Sequence, residues 1–183
     1  MKIVILKFSS CLRSLKAFTL VETLMTVLFF TVISGAAVTM MMSTQDSWKI
    51  NSVKVELQQE MRKAMDWMNL DFSQAGASTI TNVPADGTWY TTITFQTVSG
   101  VSGANPTWNS DTIRFLLAGT NSNQLQRISG ATTKIIAQNI LTLQFRRLAA
   151  TPNLLEISLQ GRKATIRGAT LTLSSSAKIK LGN

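Results

Sequence analysis

The stretch from Ala17 to Met42 reads AFTLVETLMTVLFFTVISGAAVTMMM, and Glu22 is its only charged residue. An α-helix rises about 1.5 Å per residue, so this stretch would span roughly 39 Å, which is enough to cross a bilayer. A carboxylate inside a bilayer costs about 2.5–3.5 kcal/mol on insertion scales. The sequence therefore predicts a membrane helix in which Glu22 has a function or a partner.

Basic residues precede this helix, at Lys2, Lys7, Arg13 and Lys16. One interpretation is a signal peptide cut near Ser34-Gly35-Ala36, but the apolar pattern continues to Met42, and a signal peptide gains nothing from Glu22. A second interpretation is a plain single-pass anchor, with its basic end in the cytoplasm and the rest of the chain outside. Such an anchor would explain the basic residues and the apolar stretch, but not Glu22.

The helical pattern continues from Gln45 to Ala75. Apolar residues recur there at spacings of three and four, which defines one face of an amphipathic helix. They are Ile50, Val53, Leu57, Met61, Ala64, Met65, Met68 and Phe72. Gly76 is expected to end the helix. Together the two halves predict one helix from about Phe18 to Ala75, roughly 87 Å long.

From about Tyr90 onward the apolar residues recur at every second position, which is typical of strands with one buried face. Strands are expected at Ile93–Phe95, Ile113–Leu117, Leu141–Phe145 and Leu155–Leu159, with two short ones at Leu171–Leu173 and Ile179–Leu181. The predicted fold class is α+β: the amphipathic half of a long N-terminal helix packs on a C-terminal antiparallel β-sheet domain.

Turn-forming residues separate these strands, and the chain after the membrane helix has room for one small domain. The turns are expected at Pro84–Gly87, Gly100–Pro106, Asn121–Asn123, Ser129–Gly130 and Gly161. The segment from Val98 to Asn109 is rich in Ser, Gly and Asn, and we expect it to form a mobile loop.

The composition argues against catalysis. The chain has no histidine, and its single cysteine, Cys11, lies in the basic leader. The usual general bases, thiol nucleophiles and most transition-metal ligands are therefore missing. Asp86 and Asp111 could act as a carboxylate pair only if the fold brought them together, and we interpret them as loop and turn residues. The sequence predicts no enzyme, no cofactor and no metal site.

The region from Ala77 to the end carries ten basic and three acidic residues, a net charge of +7. Such a region could bind DNA or another anionic surface. The alternative is a scattered, solvated basic surface that keeps the domain in solution. We favour the alternative, because the basic residues are not clustered and the aromatic residues Trp89, Tyr90 and Trp108 are near no basic run.

The residues Lys16-Ala17-Phe18-Thr19-Leu20-Val21-Glu22 resemble the processing site of type IV prepilins and type II secretion pseudopilins. The resemblance implies that a prepilin peptidase cleaves between Ala17 and Phe18 and N-methylates Phe18. Ala17 departs from the glycine usual there. The chain would then comprise a removed leader (1–17), a transmembrane and filament-core half-helix (18–42), an amphipathic half-helix (43–76) and a β-rich head (77–183).

Cleavage would create a cation at Phe18, one helical turn before Glu22. In a bundle of staggered helices, the Glu22 carboxylate could pair with the Phe18 amine of a neighbouring subunit. The resemblance implies a single-pass protein of the bacterial inner membrane, with a cytoplasmic N-terminus and a periplasmic or extracellular head. Its expected partners are other pilins or pseudopilins, the prepilin peptidase and the inner-membrane assembly platform.

A second, looser resemblance concerns the rest of the chain. The run Leu57-Gln58-Gln59-Glu60-Met61-Arg62, the helix end Asp71-Phe72-Ser73-Gln74-Ala75-Gly76 and the later Asp111-Thr112-Ile113-Arg114-Phe115 are similar to PilW-like minor pilins and J-type minor pseudopilins. This similarity implies a minor subunit that primes or caps a type IV pilus, a competence pilus or a type II secretion pseudopilus. The alternative function is a membrane-anchored basic binding module for DNA uptake or adhesion to an anionic surface.

Overall fold

The computed structural model describes residues 19–103, 105–165 and 168–182. One helix, α1, covers Leu20–Ser73 without a break, which confirms that the two predicted half-helices are continuous. Seven strands follow: β1 Ile93–Ser102, β2 Asn105–Ala118, β3 Gln124–Ser129, β4 Thr132–Ala137, β5 Ile140–Leu148, β6 Thr151–Ala164 and β7 Thr170–Lys180. Short 3-10 helices lie at Ala77–Thr79 and Thr120–Ser122. The predicted α+β class is confirmed.

The chain divides into two compact units, Met1–Asp46 and Ser47–Asn183. The described part of the first unit is the N-terminal portion of α1. The second unit contains the rest of α1 and all seven strands, so the amphipathic half of the helix belongs to the same unit as the strands that it covers.

The strands form two antiparallel sheets where one was expected. The first has the order β1-β2-β3-β4, and the second has the order β5-β6-β7. The chain passes from one sheet to the other at Asn139, which has a left-handed φ of 60° between β4 and β5. Asparagine tolerates this conformation better than most residues, and the change of direction there starts a new sheet.

The prediction of a mobile loop from Val98 to Asn109 is wrong, because β1 and β2 pair through this segment as far as Ser102 and Asn105. Polar side chains bond across the pair: the Ser99 hydroxyl lies 3.1 Å from the Thr107 hydroxyl, and the Asn109 amide donates to Thr97 at 2.9 Å. Cross-strand hydrogen bonds of this kind stabilise a sheet without apolar alternation, and the composition was therefore misleading.

Gly161 was expected in a turn but lies inside β6. A Cβ atom there would approach the Leu57 Cδ1 atom to 2.9 Å and the Met61 Sδ atom to 3.1 Å. The glycine thus allows α1 to approach the second sheet closely, which is a known role of glycine within strands. The two short strands expected after it are one continuous strand, β7.

The core lies where α1 meets both sheets. Phe72, in the last turns of α1, has its ring centroid 4.8 Å from that of Phe95, 5.6 Å from that of Phe115 and 5.9 Å from that of Phe145. The first two partners belong to the first sheet, and Phe145 belongs to the second. Leu57, Met61, Ala64 and Met68 are also buried on this face. The predicted cover of the strands by the amphipathic half-helix is confirmed.

Candidate functional site

The start of α1 is a capped helix end. Thr19 directly precedes the first helical residue, and its hydroxyl accepts a hydrogen bond from the backbone N–H of Glu22 at 3.2 Å. Such a bond satisfies one of the unpaired donors at a helix start. The spacing Thr-x-x-Glu is that of a capping box. This local role of Thr19 and Glu22 was not predicted, although the four-residue pattern that indicates it is present in the sequence.

The Glu22 carboxylate is exposed and lies in the first turn of the helix. A negative charge there is favoured by the helix dipole. Among residues 19–103, 105–165 and 168–182, no cation forms an ion pair with Glu22. The helix end therefore favours the charge but gives it no counter-ion.

The surface around Glu22 is apolar on every side of the helix. Leu20 is 79% exposed, Phe30 is 72% exposed and Met40 is 74% exposed. Further exposed apolar residues are Val21, Leu24, Met25, Val27, Leu28, Phe29, Val32, Ile33, Val38, Met41 and Met42. A helix that is apolar all round belongs in a membrane or inside a larger assembly. By length and composition, α1 could cross a membrane near the N-terminus of the chain and serve as its anchor.

Threonine hydroxyls interrupt this apolar surface, yet their hydrogen bonds are satisfied within the helix. Thr23 donates to the Thr19 carbonyl at 2.9 Å, and Thr26 donates to the Glu22 carbonyl at 2.7 Å. Thr31, Thr39 and Thr44 bond preceding carbonyls in the same way. A polar group must find a partner inside the protein when it faces lipid, and these five threonines meet that requirement.

Most of the predicted processing site lies outside the described residues. This applies to Ala17 and Phe18, to the N-methylation of Phe18 and to the leader residues Lys2, Lys7, Arg13 and Lys16. Glu22 alone, of the predicted site residues, has a described position.

Three acidic residues join the amphipathic half-helix to the head. Asp71 is 6% exposed and accepts two hydrogen bonds from Arg127 of β3, at 2.6 and 3.3 Å. Glu60 accepts the backbone N–H of Gln138 at 3.0 Å, and Glu56 pairs with Lys163 of β6. None of the three contacts is predicted by a local sequence pattern, because the partners are far apart in the chain.

One basic residue of the head, Arg147, is less solvated than predicted. Arg147 is buried and donates to the carbonyl oxygens of Pro152 at 2.8 Å and Val83 at 3.2 Å. Burial lowers the pKa of this guanidinium from its ordinary value. Lys134 lies over the Trp67 ring at 4.0 Å. The expectation of a scattered, solvated basic surface is wrong for Arg147, whereas Lys134 remains exposed.

A row of charges crosses the second sheet. Arg146, Glu156 and Lys178 face one another in register on β5, β6 and β7. Glu156 accepts hydrogen bonds from Arg146 Nε at 2.9 Å and pairs with Lys178 at 2.8 Å, and its side chain is 9% exposed. The hydrogen bonds from Lys178 and Arg146 hold the pKa of the Glu156 carboxyl below its usual value. The Arg146 Cζ atom also lies 4.5 Å from the centroid of the Trp89 ring.

Asp86 has the turn role that the sequence predicted. Its carboxylate accepts the Thr88 backbone N–H at 2.8 Å and the Tyr90 hydroxyl at 2.7 Å. The hydrogen bond from Tyr90, followed by that from Thr88, lowers the pKa of Asp86, and the same bond to Asp86 raises the pKa of Tyr90. Asp86 is thus engaged within its own loop.

Scans of protein-family models, curated proteins and solved structures found no match for this chain. The fold and the site nevertheless define a class of protein. It has an N-terminal helix that is apolar enough to anchor it in a membrane, and this helix continues into a domain of two antiparallel sheets.

Proposed function

We propose that this protein is a minor pilin or minor pseudopilin, a subunit that assembles with related subunits through its N-terminal helix. Processing by a prepilin peptidase between Ala17 and Phe18 would release the leader. The helix from Phe18 to Met42 would then hold the subunit in the inner membrane and afterwards in the core of a short fibre, of a type IV pilus or a type II secretion pseudopilus.

The observation that carries this proposal is the Glu22 carboxylate, which lies on an exposed apolar helix without a cation among the described residues. In lipid such a charge is costly. A new amine at Phe18 would lie four residues earlier, and in a neighbouring subunit shifted along the helix axis it could reach Glu22. Pairing with that amine would turn an unfavourable charge into a signal for assembly.

The contacts of the amphipathic half-helix support the second part of the proposal, a head that primes or caps the fibre. Phe72 and Asp71 join the last turns of α1 to both sheets. These contacts fix the head to the amphipathic half of α1. The resemblance to PilW-like minor pilins and J-type minor pseudopilins points to the same role.

The capped helix end offers a competing, purely local explanation for Glu22, and a set of variants separates the two. Glu22→Gln keeps a residue that suits a capping box but removes the charge. Thr19→Ala removes the hydroxyl that accepts the Glu22 N–H but keeps the charge. Glu22→Leu removes both the charge and the side chain that suits a capping box. Each variant would be produced in a host that carries a prepilin peptidase and the corresponding pilus or secretion machine.

The assembly role predicts that Glu22→Gln and Glu22→Leu lose fibre formation or secretion while remaining in the membrane, and that Thr19→Ala keeps most of the activity. If Glu22→Gln is fully active and Thr19→Ala is not, the local cap explains the residue and the assembly role is wrong. Immunoblots of membrane fractions, with a fibre or secretion assay on the same cells, provide both readouts.

A further inference from the structure

The strand β7 is an edge strand of the second sheet, and one of its two sides has no neighbouring strand. It pairs with β6 alone, in an unbroken register from Ala164 and Thr170 to Leu154 and Lys180. In the described part of the chain, no backbone group of Thr170–Lys180 bonds to anything beyond β6. In an antiparallel pair alternate residues turn both backbone groups away from the partner. About half of the β7 backbone groups therefore face the open side.

The other sheet edges are covered or irregular. Along β1, the Val98 N–H bonds the Gln74 carbonyl at 3.0 Å, and the Thr94 carbonyl accepts the Thr81 N–H at 3.1 Å. Along β5, Tyr90 exchanges two bonds of 2.8 Å with Phe145. The β4 strand has six residues and a register shift against β3. Only β7 combines length, regular register and an uncovered side among the described strands.

The sequence of β7 lacks the usual protection of an edge strand. Its first eight residues, Thr170–Ala177, contain neither proline nor charge, and three consecutive serines lie in the middle. Natural edge strands are normally protected against pairing by proline, by charged side chains or by bulges. The open side of β7 is therefore suited to accept another strand.

A groove of about 400 Å³ lies beside this strand, between β7 and α1. Met61 and Met65 of α1 and Leu173 of β7 provide its apolar lining, and Gln58, Arg62, Ser174 and Ser175 complete it. Leu171, Leu173 and Ser175 are half-buried and alternate with exposed residues. A strand added to β7 would direct every second side chain into this groove, over the two methionines.

Arg62 gives the groove a charge preference. Its side chain is exposed at the groove and makes no ion pair within residues 19–103, 105–165 and 168–182. An incoming segment with an acidic side chain could pair with it. Since β7 itself carries Lys178 and Lys180 but no acidic residue, a second copy of β7 would not provide that partner.

We propose that β7 binds an extended segment of a different protein by β-strand addition. The segment would pair with Thr170–Ala177, place apolar side chains at alternate positions over Met61 and Met65, and bring an acidic side chain to Arg62. A row of backbone donors and acceptors is matched in full only by another polypeptide backbone. This surface lies within Ser47–Asn183 and does not involve Glu22, so the inference goes beyond the assembly role and does not depend on it.

The test uses the full chain in detergent micelles and a fluorescein-labelled peptide of sequence TVEVTVEV. Matched probes are TVKVTVKV, in which lysine replaces glutamate, and TPEPTPEP, which lacks every second backbone N–H and all the valine side chains that would enter the groove. Fluorescence anisotropy measures binding, and amide hydrogen exchange locates it. We expect TVEVTVEV to bind and to slow exchange in Thr170–Ala177, with β4 unchanged, and TPEPTPEP not to bind.

Two pairs of variants sharpen the test. Ser175→Lys places a charge on the groove side of β7 and should abolish binding. Ser176→Lys makes the same change at an exposed residue that does not line the groove and should leave binding within about twofold. Arg62→Glu should weaken binding of TVEVTVEV by about two- to fivefold, the size of an exposed ion pair, and should improve binding of TVKVTVKV. Arg114→Glu makes the same charge change on β2, away from the groove, as the control.

Several results would overturn the proposal. One is an unchanged exchange rate in β7 at saturating TVEVTVEV, and another is equal binding of TPEPTPEP. Protection of β7 that rises with chain concentration in the absence of peptide would identify a second copy as the occupant. Glu22→Leu should bind TVEVTVEV like the unmodified chain, so a failure of the assembly role and a failure of β-strand addition can be told apart.

Discussion

Residues Leu20–Met42 and Ser47–Ser73 belong to one helix, yet they bury apolar side chains in different ways. The first segment is apolar on all sides, and its large side chains are exposed in the single chain. The second segment has one apolar face, which packs against the two sheets through Leu57, Met61 and Phe72. The first segment needs lipid or other helices to cover it, whereas the second segment is covered by its own domain.

Acidic residues of the two segments also differ in their partners. Asp71, Glu60 and Glu56 in the second segment each bond to a residue of the head. Glu22 in the first segment has no cation among the described residues. The three acids of the second segment thus have partners in their own domain, whereas the proposed function assigns Glu22 a partner from another chain.

The largest expected effect is the loss of the aromatic contacts at the end of α1. Phe72→Ala should destabilise the head by about 3–5 kcal/mol, because its ring is fully buried between the two sheets. Phe30→Ala removes the same side chain from the exposed segment and should leave head stability unchanged. Urea unfolding of the full chain in micelles, followed by tryptophan fluorescence, measures both. Equal effects of the two variants would contradict the proposed division of the helix.

A smaller effect is expected from the buried ion pair. Asp71→Asn leaves the guanidinium of Arg127, whose side chain is 20% exposed, without its carboxylate. We expect a loss of about 1.5–3 kcal/mol, as for other hydrogen bonds to charged groups. Asp66→Asn changes an exposed acid five residues earlier on the same helix and is the control. The same unfolding assay applies, and an equal response of both variants would show that the pair contributes no stability.

Because α1 approaches β6 closely, any side chain at Gly161 should destabilise the head. Gly161→Ala should destabilise the head by about 1 kcal/mol, because the new Cβ atom must displace the ends of Leu57 and Met61. Gly100→Ala is the matched control, since the nearest atom to its Cβ position is the Thr107 hydroxyl oxygen at 3.4 Å. If Gly161→Ala is as stable as the unmodified chain, the helix and the sheet are less closely packed than described.

The smallest expected effect is a pH dependence that comes from Glu156. Because its pKa is lower in the folded chain than the ordinary value of 4.5, its contribution to stability is present above pH 4.5. That contribution should be lost as the pH falls through the folded pKa. The stability difference between the unmodified chain and Glu156→Gln should therefore shrink below pH 4.5. A difference that grows on acidification would contradict the assigned contacts with Lys178 and Arg146.

Local patterns allowed the helix and most strands to be predicted. The spacing of Leu57, Met61 and Phe72 indicates the buried helix face, and alternation at Ile113 and Phe115 indicates a strand. β3 and β4 were missed because their apolar residues do not alternate: in β4, Ile136 and Ala137 are adjacent, and both are buried. The division into two sheets depends on which distant strands pair, and this information is absent from local periodicity.

The candidate site, too, could be predicted only where its contacts are local in the sequence. Glu22 is conspicuous in the sequence because it is the only charge in an apolar stretch, and its cap by Thr19 could have been predicted from the Thr-x-x-Glu spacing. The bond between Asp71 and Arg127 could not be predicted, because it joins residues 56 positions apart. The burial of Arg147 likewise depends on the carbonyl groups of Val83 and Pro152, which only the folded chain brings together.

The proposed pairing of Glu22 with an amine requires that the processed chain begins at Phe18. The direct measurement is the intact mass and N-terminal sequence of the protein, purified from membranes of a host that carries a prepilin peptidase. We predict a chain that begins with N-methylated Phe18, which would place a cation one helical turn before Glu22. A chain that still begins at Met1, or one that begins near Ala37, would contradict the account, since neither end could supply the amine that Glu22 is proposed to bind.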